Sequence, residues 1–421
     1  MKLKHSYNYI TGSFIQALIP ILFYPILTKI TDKESFGKLV TAIAFSTILS
    51  YLFSLGLPAI ISRQLIFDKK NSLKLKKYID FVSKFLLLFL FFFNIIVYYF
   101  NVIDAIKLII LIISGAIFLA FAQIKLSIYR AEFKSLSFIF LAVSSNGLPL
   151  IITTFLSLLF NLNVIDVYFF SLFIILLLFT GKFSLIFVNK PPVINSLIKS
   201  GLPMIVHGIS ISSFQYGDKI AGFLGVDAQL AAEIAILSLV LTGPTLLLNT
   251  LNNVWLPSSL EMYKKSKKIG QKYSNNIAQK LTLITSLIIL LIFSGLPFFL
   301  QLIVSQDYDL LVIEKTIYLS IFISPLYILY LQNSQIITVN KQFKVLGFVT
   351  PVSALIQFTF TFLFVKNLGL YAVGFGFIIA IFLQTFLTSV LTKNYKKINL
   401  SPVYGTFFLG FISVIFYFIK F

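Results

Sequence analysis

The sequence contains no cysteine. Disulfides, thiol nucleophiles and thiolate metal sites are excluded together. It has two histidines, His5 and His207, too few for a multi-histidine metal centre. Charge is scarce: 11% of the 421 residues are Asp, Glu, Lys or Arg, which cannot cover the surface of a soluble protein of this length. No GxxxxGK(S/T) phosphate loop occurs, so the chain has no Walker-type ATP engine. Its work must run on a gradient, on binding or on a partner. No cofactor is expected, only a proton or sodium gradient.

What fills the sequence instead is hydrocarbon. Hydrophobic residues make up 58% and aromatics 16%, mostly Phe, and the mean hydropathy is +0.96. Apolar runs fall at 10–30, 37–61, 79–100, 106–127, 136–160, 165–188, 200–224, 230–256, 278–303, 314–339, 345–365 and 370–392. Each is long enough to cross a bilayer as a helix. The runs are continuous rather than alternating, which excludes a membrane β-barrel. Lys2 and Lys4 precede the first run as in a signal peptide, but the run is of full span length with no small-residue cleavage site after it. The expected fold is an all-α polytopic membrane protein of twelve transmembrane helices, or thirteen if Val403–Phe421 also crosses.

The net charge of +20 needs no nucleic-acid partner, because the basic residues sort by side. With the N-terminus in the cytoplasm, the inner segments hold 24 Lys and Arg, from Lys2 and Lys4 through Arg63, Lys125, Arg130 and Lys134 to Lys393, Lys396 and Lys397. The outer connections hold seven: Lys29, Lys33, Lys38, Lys107, Lys219, Lys315 and Lys366. The positive-inside rule thus places the N-terminus in the cytoplasm.

Two basic stretches, Ser62–Tyr78 after span 2 and Pro257–Ile277 after span 8, start 195 residues apart. The two halves therefore share one plan of six spans, as in transporters built from repeats. The expected division is residues 1–190, residues 191–400, and an extra hydrophobic segment at 401–421. Each basic stretch reads as a loop or short amphipathic helix on the inner leaflet, attractive to anionic head groups. The outer loops are short; the longest is Ser305–Ile313. That leaves no room for an external catalytic segment, and the chain is not expected to be an enzyme.

Polar residues inside spans are costly and point to function. Asp218 and Lys219 lie toward the outer end of span 7, either as a substrate-contacting pair or as a self-neutralising one. His207 stands eleven residues earlier on that helix, near the same face as Asp218 with Gln215 close by. His207 and Asp218 are candidates for proton coupling. Asn249, Asn252 and Asn253 follow i, i+3, i+4 spacing on span 8, and amides suit either sugar hydroxyls or helix packing. Arg63, Lys125 and Arg130 sit at inner ends of spans in the first half; they are either phosphate contacts or inner anchors. Gln16, Asn146, Gln357 and Gln384 read as packing amides. Gly-Leu-Pro occurs at 56–58, 147–149, 201–203 and 295–297, where proline breaks the helical hydrogen-bond ladder.

A family resemblance rests on these residues. Gly12-Ser13, Pro25 to Thr28 and Phe36-Gly37 resemble the first span and outer turn of the bacterial O-antigen and polysaccharide flippases, in the multidrug/oligosaccharidyl-lipid/polysaccharide exporter superfamily. Gly56-Leu57-Pro58 with Arg63-Gln64, then Gly201-Leu202-Pro203, Asp218-Lys219, Leu224-Gly225 and Trp255-Leu256-Pro257, are similar to that family too. Lys219 stands where the family often has arginine. The resemblance covers residues 5–395. It implies two six-helix lobes around a central basic cavity in the bacterial inner membrane. It implies alternating access that moves an undecaprenyl-pyrophosphate-linked oligosaccharide, an O-antigen or capsule unit of polysaccharide or lipopolysaccharide biosynthesis, from the inner to the outer leaflet. Expected partners are that lipid-linked oligosaccharide, membrane lipids, and glycan polymerase and chain-length proteins.

Three alternatives stay open. A multidrug efflux antiporter of the same superfamily would use acidic residues such as Asp218 on cationic substrates. A membrane glycan polymerase or ligase would need a large outer loop. A passive channel or scaffold would have no use for two similar halves and many prolines.

Overall fold

The computed structural model describes residues 2–58, 61, 77–82, 84–86, 88–90, 92–93, 104–132, 134–179, 193–318, 323–340 and 342–391. Among them there is no strand. Thirteen helices follow one another: α1 (Lys2–Ile30), α2 (Lys33–Phe53), α3 (Asp104–Ala131), α4 (Ser135–Asn146), α5 (Leu148–Phe160), α6 (Val164–Phe179), α7 (Val193–Gly225), α8 (Ala228–Lys265), α9 (Lys267–Ile303), α10 (Leu310–Tyr318), α11 (Ile323–Val339), α12 (Phe343–Leu368) and α13 (Leu370–Leu391). The run 79–100 is helical wherever it is described. Val403–Phe421 lies outside the described residues, as does most of Ser62–Tyr78, including Arg63.

By length and composition, α2, α3, α12 and α13 qualify as membrane spans, and two bent pairs raise the number to six among the described residues. The first pair is α4 with α5, bent by 41° at Gly147, where Pro149 in the next turn cannot donate a backbone hydrogen bond. The second is α10 with α11. Short links join successive helices where polar residues stop them. Asp32 and Asp227 accept from the backbone N–H of Ser35 and Leu230, each at 2.8 Å, capping α2 and α8. Asn161, at φ 51°, closes α5, and Gly369, at φ +55°, closes α12.

The second basic stretch is not a loop. α8 continues to Lys265 and α9 begins at Lys267, with Ser266 alone between them. Its hydroxyl accepts from the Ile269 N–H at 3.1 Å and caps α9. Lys, Glu and Met are good helix formers, and Lys264 and Lys265 in the last turn complement the negative end of the α8 dipole. With 38 residues α8 is about 57 Å long, beyond the ~30 Å hydrocarbon layer. The helix therefore runs on past the end of the apolar stretch at residue 256 and stops at the lysines.

The chain forms two compact units, Met1–Ser212 and Ser213–Phe421, and α7 passes from one to the other. In the first unit α1 packs on α4 and α5, and α2 packs on α3 and α6. Gly115 of α3 meets the ring of Phe169 on α6. Lys107 and Asp166, 2.6 Å apart, tie the starts of α3 and α6. Lys125, Arg130 and Lys134 fall at the opposite end of that unit. In the second unit α12 packs on α13, and α8 packs on α9 and α11.

Gly115 tests this packing. A Cβ there would overlap the Phe169 ring and stand 3.1 Å from Ser46 Oγ. Phe169 is buried and cannot swing away. Gly115→Ala should lower stability by about 1–3 kcal/mol, measured as thermal unfolding in detergent. Gly347→Ala, with nothing within 4 Å, should be neutral or gain about 0.5–1 kcal/mol.

Candidate functional site

Asp218 is the centre of a buried polar group in the second unit. It is 5% exposed, on α7. Gln357 Nε2 donates to its Oδ2 at 2.5 Å, and Thr361 Oγ1 donates to its Oδ1 at 2.8 Å. Gln357 and Thr361 stand four residues apart on α12, so both reach from one face. Gln357 also donates to the Phe214 carbonyl at 3.4 Å. The packing role expected for Gln357 is thus only part of what it does: it holds one oxygen of the carboxylate. Two donors from α12 thus serve the two oxygens of a buried carboxyl group that has no access to bulk water.

Lys219 does not share those partners. Its ammonium donates to the Gln215 carbonyl at 2.9 Å and lies 5.1 Å from the centre of the Tyr216 ring. Adjacent residues on a helix point about 100° apart, so the carboxylate is held by α12 while the ammonium folds back on its own helix. Gln215 contributes its main-chain oxygen here. Both side chains are buried, and each has hydrogen-bond partners of its own.

His207 belongs to the first unit and Asp218 to the second. The ring atom Nδ1 of His207 is closed off with no hydrogen-bond partner among the described residues. It is a histidine with one nitrogen unused inside a helix of 33 residues.

The amides of α8 separate. Asn249 Oδ1 accepts from the Tyr327 hydroxyl on α11 at 2.7 Å. Asn252 Oδ1 is buried with no partner among the described residues. The side chain of Asn253 lies outside the description. On α11, Asn333 donates to Ser389 at 2.8 Å and Thr388 at 3.2 Å on α13, and Gln335 accepts from Ser274 on α9 at 3.0 Å. Gln332 donates to Asn275. These amides join four helices. Several of their other atoms have no described partner, and each such atom in a dry interior would cost about 1–3 kcal/mol.

In the first unit Lys125 is 13% exposed and lies 3.5 Å from Asp80. The Arg130 guanidinium lies 5.2 Å from the centre of the Phe138 ring, within the range of a cation–π contact. Arg63 lies outside the described residues, so these three are not seen together. Some residues here were missed from the sequence. Lys84, buried at 7%, stands one helical turn beyond Asp80 within the run 79–100; a lysine inside an apolar run was the available signal. Glu314 on α10 is a second buried carboxylate and accepts from the Tyr318 hydroxyl at 3.2 Å. Thr361 gave no signal, because threonine is ordinary in a span.

Thr361→Val keeps the shape and removes one donor from the Asp218 carboxylate. Stability should fall by about 1.5–3 kcal/mol, read from thermal unfolding in detergent. Thr47→Val, whose hydroxyl bonds only the Ile43 carbonyl of its own helix at 2.8 Å, should change stability by much less.

Compared by sequence, the chain matches no family model and no curated protein. Compared by structure, it resembles transporters. The lipid II flippase MurJ in an inward closed conformation superposes with a TM-score of 0.72 at 14% identity, covering 100% of this chain and 93% of that one. An inward-facing multidrug resistance MATE family transporter of the MOP superfamily gives 0.63 at 13% identity, covering 93% and 94%. An outward-facing one gives 0.58 at 14%, over the same shares. The chain thus has the all-α membrane-transporter fold shared by MATE proteins and MurJ, along essentially its whole length.

Proposed function

We propose that this chain is a flippase that carries an undecaprenyl-pyrophosphate-linked oligosaccharide, an O-antigen or capsule unit, from the inner to the outer leaflet of the bacterial cytoplasmic membrane. The observation that carries the reading is the full-length likeness to a lipid II flippase, joined to the residues resembling the polysaccharide flippases. The N-terminus is cytoplasmic by the distribution of Lys and Arg. Residues 1–190 and 191–400 act as two six-helix lobes. Arg63, Lys125 and Arg130 meet the pyrophosphate, whose geometry a guanidinium grips bidentately. Asn249, Asn252 and Asn253, with Gln215, meet the sugar. Asp218 and His207 couple movement to a proton or sodium gradient, with Lys219 beside them. No bond is made or broken, so no enzymatic step is involved.

A second reading has its own support. MATE transporters have this fold, and a buried carboxylate such as Asp218 suits a cationic drug exchanged for an ion.

Deletion of the gene separates the two. Under the flippase reading, surface polysaccharide falls and the lipid-linked unit accumulates on the inner leaflet. Arg63→Ala and Asp218→Ala should each reproduce this at unchanged protein level, measured by immunoblot of glycan and protein together. Unchanged glycan with raised sensitivity to lipophilic cations would instead establish the efflux reading.

A further inference from the structure

Three helices of the second unit, α8, α9 and α11, meet through side chains with unfinished hydrogen bonding. α8 and α9 are antiparallel, and their register is fixed at two points. Gly270 lies against Tyr263, and Trp255 shares an apolar cluster with Ala278 and Leu281. Between those points Ser259 comes level with Ser274. α11 completes the layer, since Ile328 and Leu331 belong to the Trp255 cluster and Gln335 accepts from Ser274 at 3.0 Å.

Ser259, Ser274 and Gln335 are 0%, 1% and 0% exposed. Yet Ser259 Oγ and Gln335 Nε2 have no hydrogen-bond partner among the described residues, and neither have Gln332 Oε1, Trp255 Nε1 and Asn252 Oδ1. The set mixes obligate donors, the indole N–H and the amide N–H, with obligate acceptors, the two amide oxygens. On α8, residues 252, 255 and 259 follow helical i, i+3, i+7 spacing, so they form one stripe. At the far end of the stripe stand Asn249 and its partner Tyr327. From Ser259 to Asn249 the helix rises about 15 Å, roughly half of a ~30 Å hydrocarbon layer.

We propose that this seam binds a file of ordered water molecules that runs between α8, α9 and α11 from Ser259 to Asn249. Water is both donor and acceptor and is small enough for a closed interface. Buried water typically makes about three hydrogen bonds to groups that otherwise lack partners. No charged side chain belongs to the stripe, so the file solvates without holding an ion. Its mechanical effect follows. α11 can shift along the α8–α9 hairpin by exchanging bonds with water, where a dry amide contact would have to break outright. This holds for either cargo considered above.

Trp255 is the chain's only tryptophan, so its fluorescence reports on the seam without a label. The measurement uses the full-length protein in lipid nanodiscs with no substrate. The expected result is a rise in quantum yield in D2O over H2O together with weak quenching by acrylamide. Ser259→Ala with Gln335→Leu should shift emission to the blue and remove the D2O effect. If that double variant does not accumulate, Asn252→Leu should give the same loss in part. Equal yields in H2O and D2O for the unaltered protein would overturn the proposal in favour of direct side-chain contacts. Strong acrylamide quenching would overturn it in favour of an open solvent channel.

Discussion

A polar group inside a bilayer has no bulk water to turn to, and the rest of the structure follows from this. Backbone groups answer it with helices. Small side chains answer it within the same helix: Thr28, Thr153, Thr154, Ser210 and Thr282 all donate to carbonyls three or four residues earlier, at 2.6–2.8 Å. Such residues cost the span little and say little about function. Amides and carboxylates cannot be satisfied this way, since they carry more groups than one neighbouring carbonyl can serve. Where they reach another helix, the helices are tied: α7 to α12 through Asp218, α8 to α11 through Asn249, α11 to α13 through Asn333.

This explains which features could be read along the chain. Hydropathy registers exposure to lipid, and that is what fixed the helical class and the positions of most helices. Asp218 and Lys219 stood out because an ionisable pair inside an apolar run is conspicuous by itself. Their partners did not, because Gln357 and Thr361 are 139 and 143 residues further along and only packing brings them near. Hydropathy also misleads where a helix leaves the membrane. Around Ser266 the apolar run stops, but the residues that replace it are strong helix formers, so α8 and α9 run on. From hydropathy the basic stretch could be a loop or a short amphipathic helix, because loss of hydrophobicity does not by itself say whether the helix continues.

The first helix of the chain and the helix that enters the second unit are held by different physics. In the first unit, α1 meets α4 and α5 through absent side chains. A Cβ on Gly12 would stand 3.0 Å from Ile139, and Gly147 is pressed against Ile19. In the second, α7 meets α12 at Gly225, where a Cβ would stand 2.9 Å from Val365, and more loosely at Gly217, where it would stand 3.6 Å from Phe358. Its middle is held by a carboxylate and two donors. Close apolar packing depends on shape alone and is indifferent to ions. A carboxylate between two helices depends on its charge, since a proton on the oxygen facing Gln357 would set a donor against an amide NH2 that can only donate. If an ion gradient drives this protein, the α7–α12 contact is therefore where occupancy changes packing. At the α1 contact the described residues Gly12, Ile19, Ile139 and Gly147 carry no group that titrates, so an ion has nothing to act on at those positions.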